Sequence, residues 1–291
     1  MKNQTKAYLC ALTAVLFWST IGSAFKLTLR TVDFLHLVLF SSFVSVAALF
    51  IILILQGRLA LLRHLAGHDL LRSAGLGLLN PFLYYVILLR AYDILLAQEA
   101  VVLNYVWPMT LVLLSIPILR QRIGVMSIVA LLISFAGVVI ITLQGDFTRL
   151  HFTNLTGVVL ALGSTIVWAL YWIFNVKDKR EEVPKLFLNF SFGFCYLLLA
   201  TTLYEGLSFP GWRGLLGVTY IGLFEMGITY VVWLKALRLS ATTAKVSNLI
   251  FISPFLSLLF VALFVGERIM GYTLAGLGFI IGGIVLQRFS R

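Results

Sequence analysis

Two prolines 146 residues apart, Pro108 and Pro254, are the first positions in this 291-residue chain whose placement suggests chemistry. Each stands inside a long apolar run, where a proline removes one backbone donor and frees the carbonyl four residues earlier. Those carbonyls belong to Asn104 and Ile250. If the runs lie in lipid, a freed carbonyl needs a partner, and a passing polar solute can supply one. The plainer alternative is a kink without a ligand. Aromatic residues crowd the same levels. Asn104-Tyr105-Val106-Trp107 leads into the first proline. Trp168, Tyr171 and Trp172, at i, i+3 and i+4, share one helix face, and Ser164 extends it by a turn. Trp18, Ser19, Tyr84, Tyr85, Tyr230 and Trp233 complete the set. Aromatic walls suit a solute with an apolar or aromatic body, and a ring face also holds an ammonium group. The alternative for each ring is helix packing. For Tyr8, Trp212 and Tyr272, near segment ends, it is the interfacial belt.

Three ionisable residues fall inside apolar runs: Glu99, Glu225 and Lys245. Charge in lipid is costly and faces a cavity or a partner. Glu99 and Lys245 read as matched charges near opposite mouths, serving a gate or an ion pair, or else as side chains that snorkel to the interface. Glu225 reads as a proton-coupling carboxylate or as a hydrogen-bond partner of a neighbouring helix. Cys10 and Cys195 stand alone and the four histidines are scattered, which argues against a disulfide framework, a metal site or a bound cofactor. No Walker loop, HExxH or GxSxG occurs, so the chain is not expected to be an enzyme or to hydrolyse ATP.

The elements that position these residues follow from composition. The chain is 61% hydrophobic and 11% charged, more apolar than a water-facing surface allows. Its net charge of +11 sits in short clusters between apolar runs, which fits basic loops and not a nucleic-acid partner. Runs of spanning length cover about 7–29, 34–56, 70–89, 95–118, 124–144, 155–176, 186–204, 213–235, 240–265 and 270–287. The first reads as a spanning helix, not a cleaved signal. Every run is expected to be α-helical, because the backbone must satisfy itself in lipid.

The chain also repeats. Residues 100–140 lie on 246–286 without a gap, matching Pro108 with Pro254, Arg122 with Arg268 and Gly137 with Gly283. Tyr85 to Ala91 resembles Tyr230 to Ala236, and Trp18 matches Trp168. The expected organisation is one transmembrane domain of two halves, 1–150 and 151–291. Five helices per half force the second half into the membrane from the opposite side, a plan common in secondary transporters. Fifteen Lys and Arg residues flank the runs on one side against six on the other, so the first side, with both termini, is expected to be cytoplasmic. Gly278 and Gly282, with Ala130, Ala136 and Gly137, are expected to allow close helix contact.

Leu12-Thr-Ala-Val-Leu-Phe-Trp18-Ser19-Thr20, Asn104-Tyr-Val-Trp-Pro108, Phe135-Ala-Gly137-Val-Val and Gly266-Glu-Arg268 together resemble the drug/metabolite transporter superfamily in its EamA-type branch, and within it the aromatic amino-acid exporters. Arg120-Gln121-Arg122 departs from the Gly-Glu-Arg usual there. The resemblance implies ten helices around a central cavity, alternating access, and export of aromatic and other neutral amino acids across a bacterial inner membrane. It implies cavity-lining roles for Tyr105, Trp107 and Trp168. The expected partners are a small-molecule substrate and the bilayer, with no obligate protein partner evident. The alternatives are efflux of drugs or other metabolites and, from another class, a membrane enzyme acting on lipid-linked substrates.

Overall fold

The structure, a computed structural model, describes residues 2–63, 65–95, 97–149, 154–265 and 270–289. The Gly266-Glu-Arg268 motif, Arg291 and the expected junction at 150 and 151 lie outside the described residues. The described elements are helical. Helix α1 (Lys2–Thr28) and α2 (Phe34–Leu55) are unbroken. The third expected segment is α3 (Gly67–Gly77), a π turn (Leu78–Leu83) and α4 (Tyr84–Ile94). The fourth is α5 (Ala97–Asn104) and α6 (Trp107–Leu119). Then α7 (Val125–Thr142), α8 (Leu155–Lys177) and α9 (Glu182–Tyr204) are again continuous. The eighth is α10 (Trp212–Ile221), a π turn (Gly222–Gly227) and α11 (Ile228–Leu239). The ninth is α12 (Thr243–Ser247), a 3-10 stretch (Asn248–Ile252) and α13 (Ser253–Val265), and α14 (Gly271–Phe289) closes the series.

Nine helical runs among the described residues are long and apolar enough to cross a membrane. The segment expected at 240–265 is not one of them, because the 3-10 stretch divides it. Large apolar side chains such as Phe43, Ile51, Leu132, Leu199 and Val285 point outward, as befits a surface that meets lipid.

The breaks sit where the prolines are, but not as interior kinks. The chain leaves α5 through Tyr105 and Val106, and Pro108 falls in the first turn of α6, where a missing N–H costs nothing. Pro254 likewise stands second in α13. The expectation of a free Ile250 carbonyl fails: it accepts the Ser253 N–H. The 3-10 geometry replaces the lost i to i+4 bond with an i to i+3 bond.

Side-chain bonds tie the segment ends into two faces. On the basic face Arg58 pairs with Glu181, Arg238 with Glu182 at 2.7 Å, and Arg180 donates to the Asp69 carbonyl at 3.1 Å and to Ser73 Oγ at 3.0 Å. On the same face the Gln4 carbonyl oxygen accepts the Ala241 N–H at 2.9 Å, and that of Gln121 accepts the Thr243 N–H at 3.0 Å. On the opposite face His36, at the start of α2, meets Ser208, beyond α9, at 2.9 Å. Helices α7 and α14 form the tightest seam. A Cβ on Gly137 would lie 2.5 Å from the Gly276 carbonyl, and one on Gly283 would lie 2.5 Å from the Ala130 carbonyl. The expected Gly278 and Gly282 are not part of it. A Cβ at either meets nothing within 4 Å, because residues 276, 280, 283 and 287 form the buried face of α14 and 278 and 282 lie outside it.

Candidate substrate site

The expected aromatic residues converge. Trp168, midway along α8, contacts Trp18 at 6.3 Å between ring centres, Tyr84 at 4.4 Å, Trp107 at 5.8 Å, Trp172 at 5.7 Å and Tyr230 at 5.6 Å. Trp233 joins through Trp18 at 5.5 Å and Trp107 at 5.8 Å. Tyr171 reaches Trp172 at 5.1 Å and Tyr230 at 6.1 Å, and Tyr85 rests on Tyr84 at 4.9 Å. Tyr105 packs against the same core. Many of these contacts are edge-to-face, the arrangement that ring quadrupoles favour. The rings therefore meet one another in the middle, at the level where the resemblance implied a central cavity.

Polar groups are set into this aromatic mass by the two π turns. In the first, Pro81 excludes the helical region for the residue before it, and Asn80 adopts an extended φ of −150° and ψ of 126°. This turns a buried amide into the core, where Asn80 Oδ1 accepts the Tyr230 hydroxyl at 3.2 Å. In the second, Gly222 lets the turn lie on α2: a Cβ there would sit 2.5 Å from the Ser41 carbonyl. Glu225 Oε1 accepts the Tyr85 hydroxyl at 3.0 Å, and its backbone carbonyl accepts Trp18 Nε1 at 3.2 Å. Asn104 ends α5 beside Tyr84. Asn104 Oδ1, Asn80 Nδ2 and the indole nitrogens of Trp168, Trp172 and Trp233 are buried with no hydrogen-bond partner among the described residues. Unpaired buried polar atoms call for an explanation, and a polar solute is one.

Two expected polar contributors are otherwise engaged. Ser19 donates to the Leu16 carbonyl at 2.7 Å and Ser164 to the Ala161 carbonyl at 2.6 Å, so both hydroxyl protons return to their own helices. Glu99 does not snorkel. It is fully buried, and neither carboxylate oxygen has a partner among the described residues. Its sequence neighbour Ala100 belongs to a small apolar cluster with Ala91, Leu95, Leu103 and Ala161. Lys245 is half-buried and makes no ion pair with Glu99.

Below the rings runs a polar column that the sequence analysis missed. Asn175 Nδ2 donates to the Tyr171 carbonyl at 2.8 Å, and Asn189 Nδ2 to Asn175 Oδ1 at 3.0 Å. Buried Lys185 donates to the carbonyls of Asn175 and Asp178. Asp178 pairs with Arg180 at 2.6 Å, and Arg238 reaches the carbonyls of Asp178 and Arg180. Burial alone would raise the Asp178 carboxyl. Hydrogen bonds from the Arg180 side chain and backbone outweigh it and hold the group below its ordinary value of 3.8. The available signal was the density of charge at 177–185, but no periodicity gives the partners of such a loop.

Asp33, His36 and Glu205 on the opposite face lie close enough to share a cation. The hydrogen bonds oppose it. The Ser208 N–H donates to His36 Nε2, so Nδ1 carries the ring proton and gives it to Asp33 at 2.8 Å. A metal at Nδ1 would need the opposite tautomer.

Relatives span the chain. An uncharacterized transporter of Archaeoglobus fulgidus is 25% identical over 285 residues, 97% of this chain and 98% of its own length. An uncharacterized transporter of Clostridium kluyveri is 30% identical over 186 residues, 60% of this chain and 58% of its own length. YvbV of Bacillus subtilis, also an uncharacterized transporter, is 27% identical over 172 residues, 58% of this chain and 55% of its own. The chain thus spans little over half the length of the last two. A solved crystal structure superimposes with a TM-score of 0.82 at 20% identity over 97% of this chain and 96% of that one, a likeness of fold alone. A helical bundle with polar groups sunk in its middle, and with nine runs of membrane-spanning length among its described residues, is laid out as a multi-pass membrane protein. Residues 5–143 and 155–288 each match the EamA-like transporter family, and the chain belongs to that family.

Proposed function

We propose that this transporter exports a small amphipathic solute by alternating access, and that amino acids with aromatic or other bulky neutral side chains fit it best. The observation that carries the reading is a crossed pair of hydrogen bonds. Tyr85 and Tyr230 stand 145 residues apart (230 − 85), and so do Asn80 and Glu225 (225 − 80). Each half thus lends its tyrosine to the other half's polar residue. This reciprocity supports two inverted five-helix halves, 1–150 and 151–291, as do the paired π turns and the two family matches. In this reading Glu225 receives the ammonium group, or a proton in its place. The free indole N–H groups of Trp168, Trp172 and Trp233 receive the carboxylate, and the rings bury the side chain. The packed rings belong to a closed state that parts to admit solute. The basic loops and both termini face the cytoplasm of a bacterial inner membrane. Export and amino acids rest on the resemblance carried by Trp18-Ser19-Thr20 and Asn104 to Pro108.

One observation favours a second reading, efflux of a lipophilic cation: Glu225 is a carboxylate held among aromatic rings. Proteoliposomes loaded with labelled phenylalanine test the two. Phenylalanine efflux, competed by tryptophan and tyrosine, is expected. Flux of a lipophilic cation with none of phenylalanine would replace the first reading by the second.

A further inference from the structure

The basic face carries an open hollow of about 530 Å³ that the transport reading does not use. Arg72, Gly75 and Leu76 of α3 and Leu79 of the π turn line one wall, and Phe174 and Lys177 at the end of α8 line the other. The third segment packs closely on α8 along α4 and splays away from it along α3. The chemistry of the hollow is graded. Arg72 and Lys177 stand at the level of the basic loops. Leu79, seven residues beyond Arg72, lies about 10 Å deeper at the rise of a helix. Leu71 and Leu78, exposed on the same segment, continue the apolar surface outward.

The surrounding charges are already matched. Arg180 holds Asp178 at 2.6 Å and approaches Asp69 at 3.8 Å, and Arg238 holds Glu182 at 2.7 Å. Lys185 is taken up by two carbonyls. Arg72, half exposed, reaches Asp178 only at 3.8 Å, on a carboxylate that Arg180 already occupies. Lys177 forms no ion pair with the described residues. The hollow therefore presents two surplus cations above an apolar floor.

We propose that it binds an anionic phospholipid of the leaflet on the basic side, with the phosphate between Arg72 and Lys177 and an acyl chain over Gly75, Leu76, Leu79 and Phe174. Basic pockets between spanning helices select anionic head groups, and the volume falls within the roughly 300–1,000 Å³ of ligand sites. A free phosphate would leave the floor bare, and in a zwitterionic lipid the head group's own ammonium already offsets the phosphate charge offered to Arg72 and Lys177. An anionic lipid satisfies both.

Native mass spectrometry of the purified full-length protein tests this, with phosphatidylglycerol, phosphatidylcholine of the same chains, and glycerol phosphate as probes. Phosphatidylglycerol is expected to stay bound. Arg72→Gln and Lys177→Gln should each weaken it roughly fivefold, and the double variant about thirtyfold. Gly75→Phe probes the floor without touching charge. A Cβ there meets nothing within 4 Å, so the ring extends into the hollow while the fold is kept. It should expel the lipid with both cations in place. Lys179→Gln and Arg63→Gln, on the same face, should change nothing. Equal retention of phosphatidylcholine, displacement by glycerol phosphate, undiminished binding in Gly75→Phe, or equal weakening by the two control variants would each overturn the site.

Discussion

The Tyr85 hydroxyl donates to Glu225 Oε1 at 3.0 Å across the two halves of the chain, and this bond has a neutral counterpart between Tyr230 and Asn80 at 3.2 Å. One pair is charge-assisted when Glu225 is ionised and the other never is. A bond to an ionised group is worth about 1.5–3 kcal/mol against about 1 for a neutral pair. Tyr85→Phe is therefore expected to slow transport more than Tyr230→Phe, by roughly tenfold in initial rate, at equal levels of protein in the membrane. Equal losses in the two variants would remove the special weight given to Glu225.

Glu225→Gln keeps the shape and the acceptor oxygen but cannot exchange a proton. If Glu225 couples transport to protons, uptake measured across a pH series should vary in the native protein and be flat in the variant. An unchanged profile would falsify the proton role.

Trp168 is the ring at the centre of the cluster, and truncation to Ala opens a cavity that costs about 3–5 kcal/mol. The informative change is Trp168→Phe, which keeps a ring and removes the unpartnered N–H. We expect near-normal thermal stability with a several-fold higher KM. An unaltered KM would mean that the indole nitrogen is not presented to solute.

Asp178 is buried at the basic face against Arg180. Its folded value lies below 3.8, so its contribution to stability is complete above that value and is lost only as pH falls through the folded value. Between pH 5 and pH 8 on the order of nothing should change at this site. Asp178→Asn leaves the partly buried Arg180 guanidinium with Asp69 and Ser73 as its remaining partners and should cost about 1–3 kcal/mol across that window, read as a lowered melting temperature in detergent. A loss confined to acidic pH would contradict the pairing.

Gly283 and Gly282 are adjacent and differ in what they face. A Cβ at Gly283 would strike Ser134 Oγ at 2.2 Å and the Ala130 carbonyl at 2.5 Å, whereas one at Gly282 meets nothing. Gly283→Ala should destabilise by about 1–3 kcal/mol, and Gly282→Ala should be neutral. Thermal melts of the two variants decide it; indistinguishable melts would mean that the seam yields.

How much of this was legible in the sequence varies by element. The spanning runs were, because lipid demands long apolar stretches, and so were the convergent rings, because i, i+3 and i+4 fix a helix face. The π turns were not. Asn80-Pro81 is a turn signal inside a run otherwise apolar enough to span, and Glu225 marks a polar site without marking a change of helix type, so the turns that aim Asn80 and Glu225 inward leave no periodic trace. The GxxxG spacing at 278 and 282 misled because a motif gives a separation and not a direction; the neighbouring helix decides which glycines are used. The column from Asn175 to Asp178 depends on contacts with α9 and α11, which no local pattern specifies.

Backbone rests on backbone where α7, from the middle of the chain, meets α14, from its end. Ile280, Ile141 and Ser134 press against the glycines from the facing helix, so these two rods cannot slide past each other without unlocking Gly137, Gly276 and Gly283 together. They form a fixed keel, and any rocking that admits solute has to be made by the other helices swinging about it.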